Sequence, residues 1–294
     1  MNVGEKVREL RIAKMMSQSE LAGNQITRNM ISCIENGSAA PSLSTVSYLA
    51  KRLGVSVGYL LSEGEDDLFY RKMEQMGNIK KAFREGEWVV CRDLCLALLG
   101  DGDDELFLLL AQSNLQIAKE EFWKGKLRAA CRSFDQALEL AEQGLYPQPQ
   151  IIAEAKAYFA FLHEISPSLF SEVLDIDAPG DYALTTPFSA YLSALKALKT
   201  GNVEPAKAFL SEHSEKSCFS MHLSAKCEME KGNYEGAKTI LQSLLQGTDA
   251  LLNEVQLYAV LCDLEIVCRE TEDFRAAYRY AGEKVQLHEQ LLKD

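Results

Sequence analysis

One pattern recurs five times in this 294-residue chain and fixes most of what it can fold into. Gly86-Glu87-Trp88, Gly125-Lys126-Leu127, Gly201-Asn202-Val203, Gly232-Asn233-Tyr234 and Glu272-Asp273-Phe274 each place a turn dipeptide before an apolar anchor. Three residues past each anchor stands a small side chain: Cys91, Ala130, Ala206, Ala237 and Ala277. The anchors follow one another at 39, 76, 31 and 40 residues, and 76 is two units of 38. A near-constant period of this size marks stacked helix pairs that bury one continuous core. The small residue is needed where neighbouring helices approach, because a larger one would overpack the contact. The expectation is an all-α array of five repeats plus one degenerate unit at about Ile151 to Val173, broken at Ser166-Pro167. An irregular connection is expected over 175–187, and a final helix from Arg279 to Leu292 serves as cap or dimer contact.

Residues 1–62 read differently. Val3, Val7, Leu10 and Met15 give a helical apolar stripe. Ser17 and Glu20 form a capping box opening a brief second helix, Gln18 to about Ala22, and Gly23-Asn24 supplies a turn. Thr27 is placed to cap a third helix that ends at Asn36-Gly37. Pro41-Ser42 opens a fourth helix that stops at Gly54, and Ser56 caps a fifth from Val57 to Leu61. On the third helix, Met30, Ile31 and Ile34 are expected in the core, while Arg28, Asn29, Ser32 and Cys33 share another face. A guanidinium suits guanine O6/N7 and an amide suits adenine N6/N7, so this face has the chemistry to read base edges in a major groove. Gln18, Thr27 and the N-terminal amides are placed to grip phosphates.

The net charge of −12 divides unevenly between these parts. Residues 1–62 hold seven basic and four acidic side chains, and the rest of the chain holds 24 and 39. A basic head on an acidic body binds a polyanion locally while the body stays soluble.

The strings Ser17-Gln18-x-Glu20-Leu21-Ala22, Ile31-Ser32-x-Ile34-Glu35-Asn36-Gly37, Pro41-Ser42-Leu43 and Leu53-Gly54-Val55-Ser56 resemble the Xre (lambda-repressor-like) helix-turn-helix family. The resemblance implies a salt bridge between Arg11 and Glu35, a phosphate contact by Gln18, and a groove-facing set of Arg28, Asn29, Ser32 and Cys33. Between Ala22 and Ile31 this chain has one residue fewer than the family's usual turn. Ser62 to Asp67 reads as an acidic linker, which gives a head at 1–62, a linker at 63–68 and a repeat domain at 69–294.

The repeats resemble tetratricopeptide repeats, with Gly125, Ala130, Phe134, Ala137 and Leu138 at matching positions in the best copy. The fold class expected is therefore all-α: a five-helix helix-turn-helix domain followed by a right-handed tetratricopeptide-like superhelix. By the same resemblance, a concave groove would be lined by Gln112, Leu115, Lys119, Phe122 and Trp123, then Tyr191, Leu195 and Lys199. His222, Lys226 and Met229 would follow, then Cys262, Ile266 and Arg269. Its four cations, Lys119, Lys199, Lys226 and Arg269, suit a peptide carboxylate. The combination of head and repeats resembles the Rgg/PlcR-like (RRNPP) peptide-sensing regulators. That resemblance implies a cytoplasmic homodimer that reads a palindromic double-stranded operator and senses a short peptide. Two alternatives stay open: repeats serving only as a dimer or protein-partner scaffold, and a protein-binding adaptor with a vestigial head.

No phosphate-cradling glycine loop, nucleophile elbow or zinc-binding His-Glu-x-x-His motif is found, so no enzyme, cofactor or metal is expected. The opening residues lack the apolar stretch of a signal peptide, and no apolar run is long enough to span a membrane. The eight cysteines show no Cys-x-x-Cys spacing and are expected as reduced thiols that pack repeat contacts.

Overall fold

The computed structural model describes residues 2–62, 65–100, 103–146, 148–166, 186–213, 217–247 and 252–293, and among them every regular element is a helix. Two compact units divide at Gly102 and Asp103. The first holds α1 (Val3–Ala13), α2 (Gln18–Ala22), α3 (Arg28–Glu35), α4 (Leu43–Leu53), α5 (Val57–Leu61), α6 (Glu65–Glu85) and α7 (Trp88–Leu96). The second holds α8 (Asp104–Trp123), α9 (Leu127–Gln143), α10 (Pro149–Ile165), α11 (Pro187–Lys199), α12 (Glu204–Glu212), α13 (Cys218–Glu230), α14 (Tyr234–Gln246), α15 (Glu254–Glu270) and α16 (Phe274–Leu291).

The five head helices start where their caps stand. Asn2, Ser17, Thr27, Ser42 and Ser56 each accept a backbone N–H from the first turn, and Asn2 and Ser17 close full capping boxes. Val7, Leu21, Ile31, Ile34, Val46, Leu49, Leu53 and Leu60 form the head's core. Two expected core residues lie outside it. Met15 falls past the end of α1 at φ +54° and is 94% exposed. Met30 is 43% exposed, because Ile31, Ile34 and Glu35 already complete the inward face of α3.

Two contacts fix α1 in the head. Lys6 is fully buried, and its ammonium donates to the Tyr59 carbonyl at 2.8 Å, the Ser62 carbonyl at 2.6 Å and the Ser62 hydroxyl at 2.9 Å. A cation at the C-terminal end of α5 answers its carbonyl dipoles, so this lysine is structural and does not face a polyanion. Gly4 lies so close to α3 that a Cβ there would stand 2.0 Å from the Ile34 carbonyl oxygen. Gly4→Ala therefore forces α1 away from α3, with an expected loss of about 1–3 kcal/mol. Thermal unfolding of the full chain against wild type measures it.

The boundary after the head differs from the linker reading. Residues 65–68 begin α6, whose Tyr70 packs against the head core, so the first helix pair, α6 and α7, belongs to the head's compact unit.

All five repeat turns hold a left-handed residue: Gly86 at φ +73°, Gly125 and Gly201 at +78°, Gly232 at +76° and Glu272 at +59°. Each turn joins a helix pair, and Cys91, Ala130, Ala206, Ala237 and Ala277 are all buried at the contacts. Cys95 is buried beside Cys91 in the same way. Of the degenerate unit the described residues hold α10, which ends at Ile165, and the expected break at Ser166-Pro167 runs into residues outside those described. The expected connection over 175–187 lies mostly outside the described residues. Its last two are ordered, since Thr186 caps α11 and Pro187 is its first residue. The separate final helix expected from Arg279 is instead the second helix of the fifth pair, α16, running from Phe274.

Candidate functional site

The head presents α3 through a braced turn. Gly23 sits at φ +54°, ψ −137°, a conformation open to glycine, with the Tyr48 hydroxyl donating to the Ala22 carbonyl at 2.8 Å beside it. Arg52 donates to the Glu20 carbonyl across the same turn. These contacts hold the contracted turn between α2 and α3.

Arg11 and Glu35 form the ion pair implied by resemblance. The Arg11 Nε and Nη2 donate to the two carboxylate oxygens at 2.6 and 3.0 Å, and a third guanidinium bond reaches the Met16 carbonyl at 2.8 Å. Burial pushes the Glu35 carboxyl up, but hydrogen bonds from Arg11 and Gln18 and the charges of Arg11 and Arg8 outweigh it and hold it below the usual range. Gln18 is part of this brace, its amide donating to Glu35 at 2.9 Å. An amide nitrogen carries two N–H groups, so one remains for a phosphate oxygen. The Thr27 hydroxyl accepts the Met30 amide as a cap.

On the open side of α3, Thr27, Arg28, Asn29 and Cys33 are exposed and Ser32 is half-buried. Met30, an apolar residue that the sequence pattern assigns to the core, is exposed and borders them. Arg8, Lys14, Lys51 and Arg52 are also exposed on the head. The inner face of this short helix is locked by an ion pair, and its outer face carries Arg, Asn and small polar groups whose hydrogen-bonding chemistry suits base edges.

In the second unit, side chains from four helices meet at one cavity of about 180 Å³, lined among others by Tyr191, Leu195, Lys199, His222, Lys226, Cys262 and Asp263. Tyr191 and His222 are buried, with the tyrosine hydroxyl 2.5 Å from His222 Nδ1. His222 Nε2 lies 2.9 Å from one Asp263 oxygen, and the Lys226 ammonium donates to the other at 2.8 Å. An ionised carboxylate only accepts, so Nε2 carries a proton and, with the ring neutral, Nδ1 accepts the tyrosine hydroxyl. Burial alone would raise the Asp263 carboxyl, yet the bonds and charges of His222 and Lys226 hold it below the usual range. Beside this cavity a tight aromatic pit is formed by Trp123, Phe161, Phe188 and Phe219. Burial pushes the thiols of Cys262 and Cys218 up to about 11, so both stay protonated at neutral pH.

The cavity thus brings together Tyr191, Leu195, Lys199, His222, Lys226 and Cys262 of the expected groove. It does not include all of them. Phe122 is fully buried in the aromatic core and Leu115 is 1% exposed, so neither faces a groove. Helix phase sets this: Leu115, Ala118 and Phe122 share the stripe of α8 that enters the core. Lys119 pairs with Glu154 at 2.6 Å, Gln112 is half-buried on α8, and Arg269 is exposed at the end of α15. Two of the four expected groove cations are therefore neutralised within the chain. Asp263, the acid at the centre of the network, was not among the sequence candidates.

Residues 7–60 match the family model described as Helix-turn-helix. The head is a helix-turn-helix domain, and the chain that carries it is a DNA-binding transcriptional regulator. Over 95 residues it is 28% identical to the cryptic phage CTXphi transcriptional repressor RstR of Vibrio cholerae, spanning 31% of this chain and 86% of that one. Among solved structures it is similar to PlcR of Bacillus thuringiensis in complex with the peptide PapR7 and DNA, at 12% identity, with 100% and 99% of the two chains covered and a TM-score of 0.27. It is also similar to the apo form of the competence regulator ComR of Streptococcus vestibularis, at 17% identity, 89% and 97% coverage and a TM-score of 0.26. In the described residues no helix is long and apolar enough to cross a membrane.

Proposed function

We propose that this chain is a cytoplasmic, non-enzymatic regulator that reads a two-fold symmetric DNA site as a homodimer and takes a short peptide in its repeat cavity. The observation that carries the ligand half is the convergence of Tyr191 and Lys199 from α11 with His222 and Lys226 from α13 on one cavity beside an aromatic pit. An apolar pit next to a polar mouth suits a peptide with a bulky side chain beside a charged group. The ligand changes DNA binding only as far as it favours one arrangement of the protein over another. Neutralisation of Lys119 and Lys226 by Glu154 and Asp263 favours a second reading, in which the repeats are a scaffold for a protein partner.

In the DNA half, Arg28, Asn29, Ser32 and Cys33 face the base edges, while Gln18 and Thr27 grip phosphates and fix the register of α3. Arg28→Ala is expected to cost about 1–3 kcal/mol at one base-pair position and relax preference there. Binding to a panel of single-base operator variants measures it, and a uniform loss across the panel would make Arg28 a phosphate contact. The ligand half is tested with pools of synthetic peptides bearing free or amidated C-termini. At least one pool is expected to shift operator affinity in the wild type, while Lys199→Ala and Lys226→Ala keep operator binding and lose the shift. Operator affinity unmoved by every pool would favour the scaffold.

A further inference from the structure

The aromatic pit of the second unit is already full, and Trp123 fills it. This residue ends α8 and lies about 100° round the helix from Phe122, off the buried stripe of Leu115, Ala118 and Phe122. Its indole meets rings on two other helices, with centroids 4.9 Å from Phe188 of α11 and 6.0 Å from Phe219 of α13. Val255 and Ala259 of α15 line the same pit. The free space left is about 10 Å³, room for at most about one water molecule. Phe161, Tyr191, His222 and Ala259 line both the pit and the neighbouring cavity of about 180 Å³, so the two adjoin through shared side chains. A ligand seated at Lys199 and Lys226 thus has an aromatic wall within reach and no space against it while the indole is there.

The chain around Trp123 is pinned. Gly125 stands so close to the last helix pair that a Cβ there would press into the Glu254 carboxylate and come within 3.1 Å of Leu291. Leu291 is itself fully buried, and so is Phe122, the residue before the tryptophan. What is left to move is the indole, which is half-buried and turns about its own side-chain torsions. An emptied pit would be an apolar void among packed rings, which is unfavourable, so the indole leaves when a group of its kind replaces it. We propose that Trp123 is a built-in occupant of the ligand site, and that a ligand binds by putting an aromatic side chain where the indole stands. The exchange trades one set of edge-to-face ring contacts for another, so it lies near balance for an aromatic side chain and is unfavourable for a small aliphatic one. Trp123 thereby sets both threshold and selectivity, since apparent affinity is reduced by the fraction of molecules in which the pit is open. The proposal rests on the reading of this cavity as a ligand site, and adds what the ligand has to displace.

The test uses the full chain carrying Trp88→Phe, which leaves Trp123 as its single tryptophan. The probe is phenylbutyrate, a benzene ring for the pit with a carboxylate for the lysines beside it. Calorimetry reads binding, and acrylamide quenching of fluorescence reads the exposure of Trp123. Binding is expected to make Trp123 about twofold or more accessible to acrylamide, the opposite of the shielding given by a ligand packed against a fixed indole. Trp123→Ala, which has no indole to displace, is expected to bind the probe about tenfold or more tightly than the parent. If that variant fails to fold by circular dichroism, Trp123→Phe, which keeps a smaller ring in the pit, decides with an expected gain of about threefold. A parent that takes up no probe, a Trp123 that is shielded or unmoved when the probe binds, or a Trp123→Ala that binds no more tightly would each overturn the proposal. The alanine variant also separates this failure from failure of the underlying reading. If it takes up the probe while the parent's indole stays in place, the cavity is a ligand site without a plug; if it takes up none, the cavity is not a ligand site.

Discussion

Arg11→Ala is expected to unfold the head more readily by about 3–5 kcal/mol, because it strands the Glu35 carboxylate beneath α3. That side chain is 2% exposed, and Arg11 supplies two of its bonds and the nearest opposite charge. Gln18 alone cannot offset the desolvation of a buried charge. Arg11→Lys loses the bidentate geometry and falls between, and Glu35→Gln is milder because no charge is left unpaired. Chemical denaturation of the full chain, followed by a probe in the head, measures all three. The pair also sets a pH dependence. The folded Glu35 carboxyl titrates below its unfolded value, so the stability it contributes is fully present above about pH 5 and disappears as pH falls through the folded pKa. In Arg11→Ala the acid limb flattens, and an unchanged limb would place the pair outside the head's stability.

Asp263→Ala is expected to loosen the second unit by about 2–4 kcal/mol, since it removes the partner of both His222 and Lys226. The cost is smaller than for Arg11 because the Lys226 side chain is 28% exposed and its ammonium can return to water. His222, buried between Tyr191 and Asp263, loses the acceptor for its Nε2 proton and its fixed orientation. The variant also removes the cavity's carboxylate and leaves Lys226 beside Lys199 without it, so the cavity becomes more cationic. Binding of an acidic peptide therefore strengthens while the unit melts earlier. Asp263→Asn keeps an acceptor in place and is expected to lose less than half as much stability. Calorimetry resolves the unit's melting, and an unshifted transition in Asp263→Ala would show that the network carries no weight.

The parts of this protein that could be read from sequence are those fixed by local physics. Ser17, Thr27, Ser42 and Ser56 mark helix starts because a hydroxyl must answer an orphan amide. Gly86, Gly125, Gly201 and Gly232 mark repeat turns because the backbone there is left-handed. Glu272 takes the same conformation without being glycine, and only the repeat period revealed it. What sequence did not show depends on which helix lies opposite. Asp263 sits in the apolar string Leu261-Cys262-Asp263-Leu264, and its partners are 41 and 37 residues away. Periodicity assigns it a face of α15 but cannot say that His222 and Lys226 meet that face. Lys119 reads as a groove cation for the same reason, because nothing local in sequence shows that Glu154 of α10 lies opposite it. Met30 shows the converse error, an apolar residue assigned inward when the inward positions of α3 were already filled by Ile31, Ile34 and Glu35.

The central claim is that α3 reads a defined DNA sequence. Its most direct test is binding of the full chain to the DNA flanking its own gene and to a scrambled duplex of equal length, across a salt series. The account predicts selective binding to a two-fold symmetric site whose half-sites lie about one helical turn apart, with affinity falling linearly in log salt. Equal affinity for the scrambled duplex at every salt concentration would contradict it.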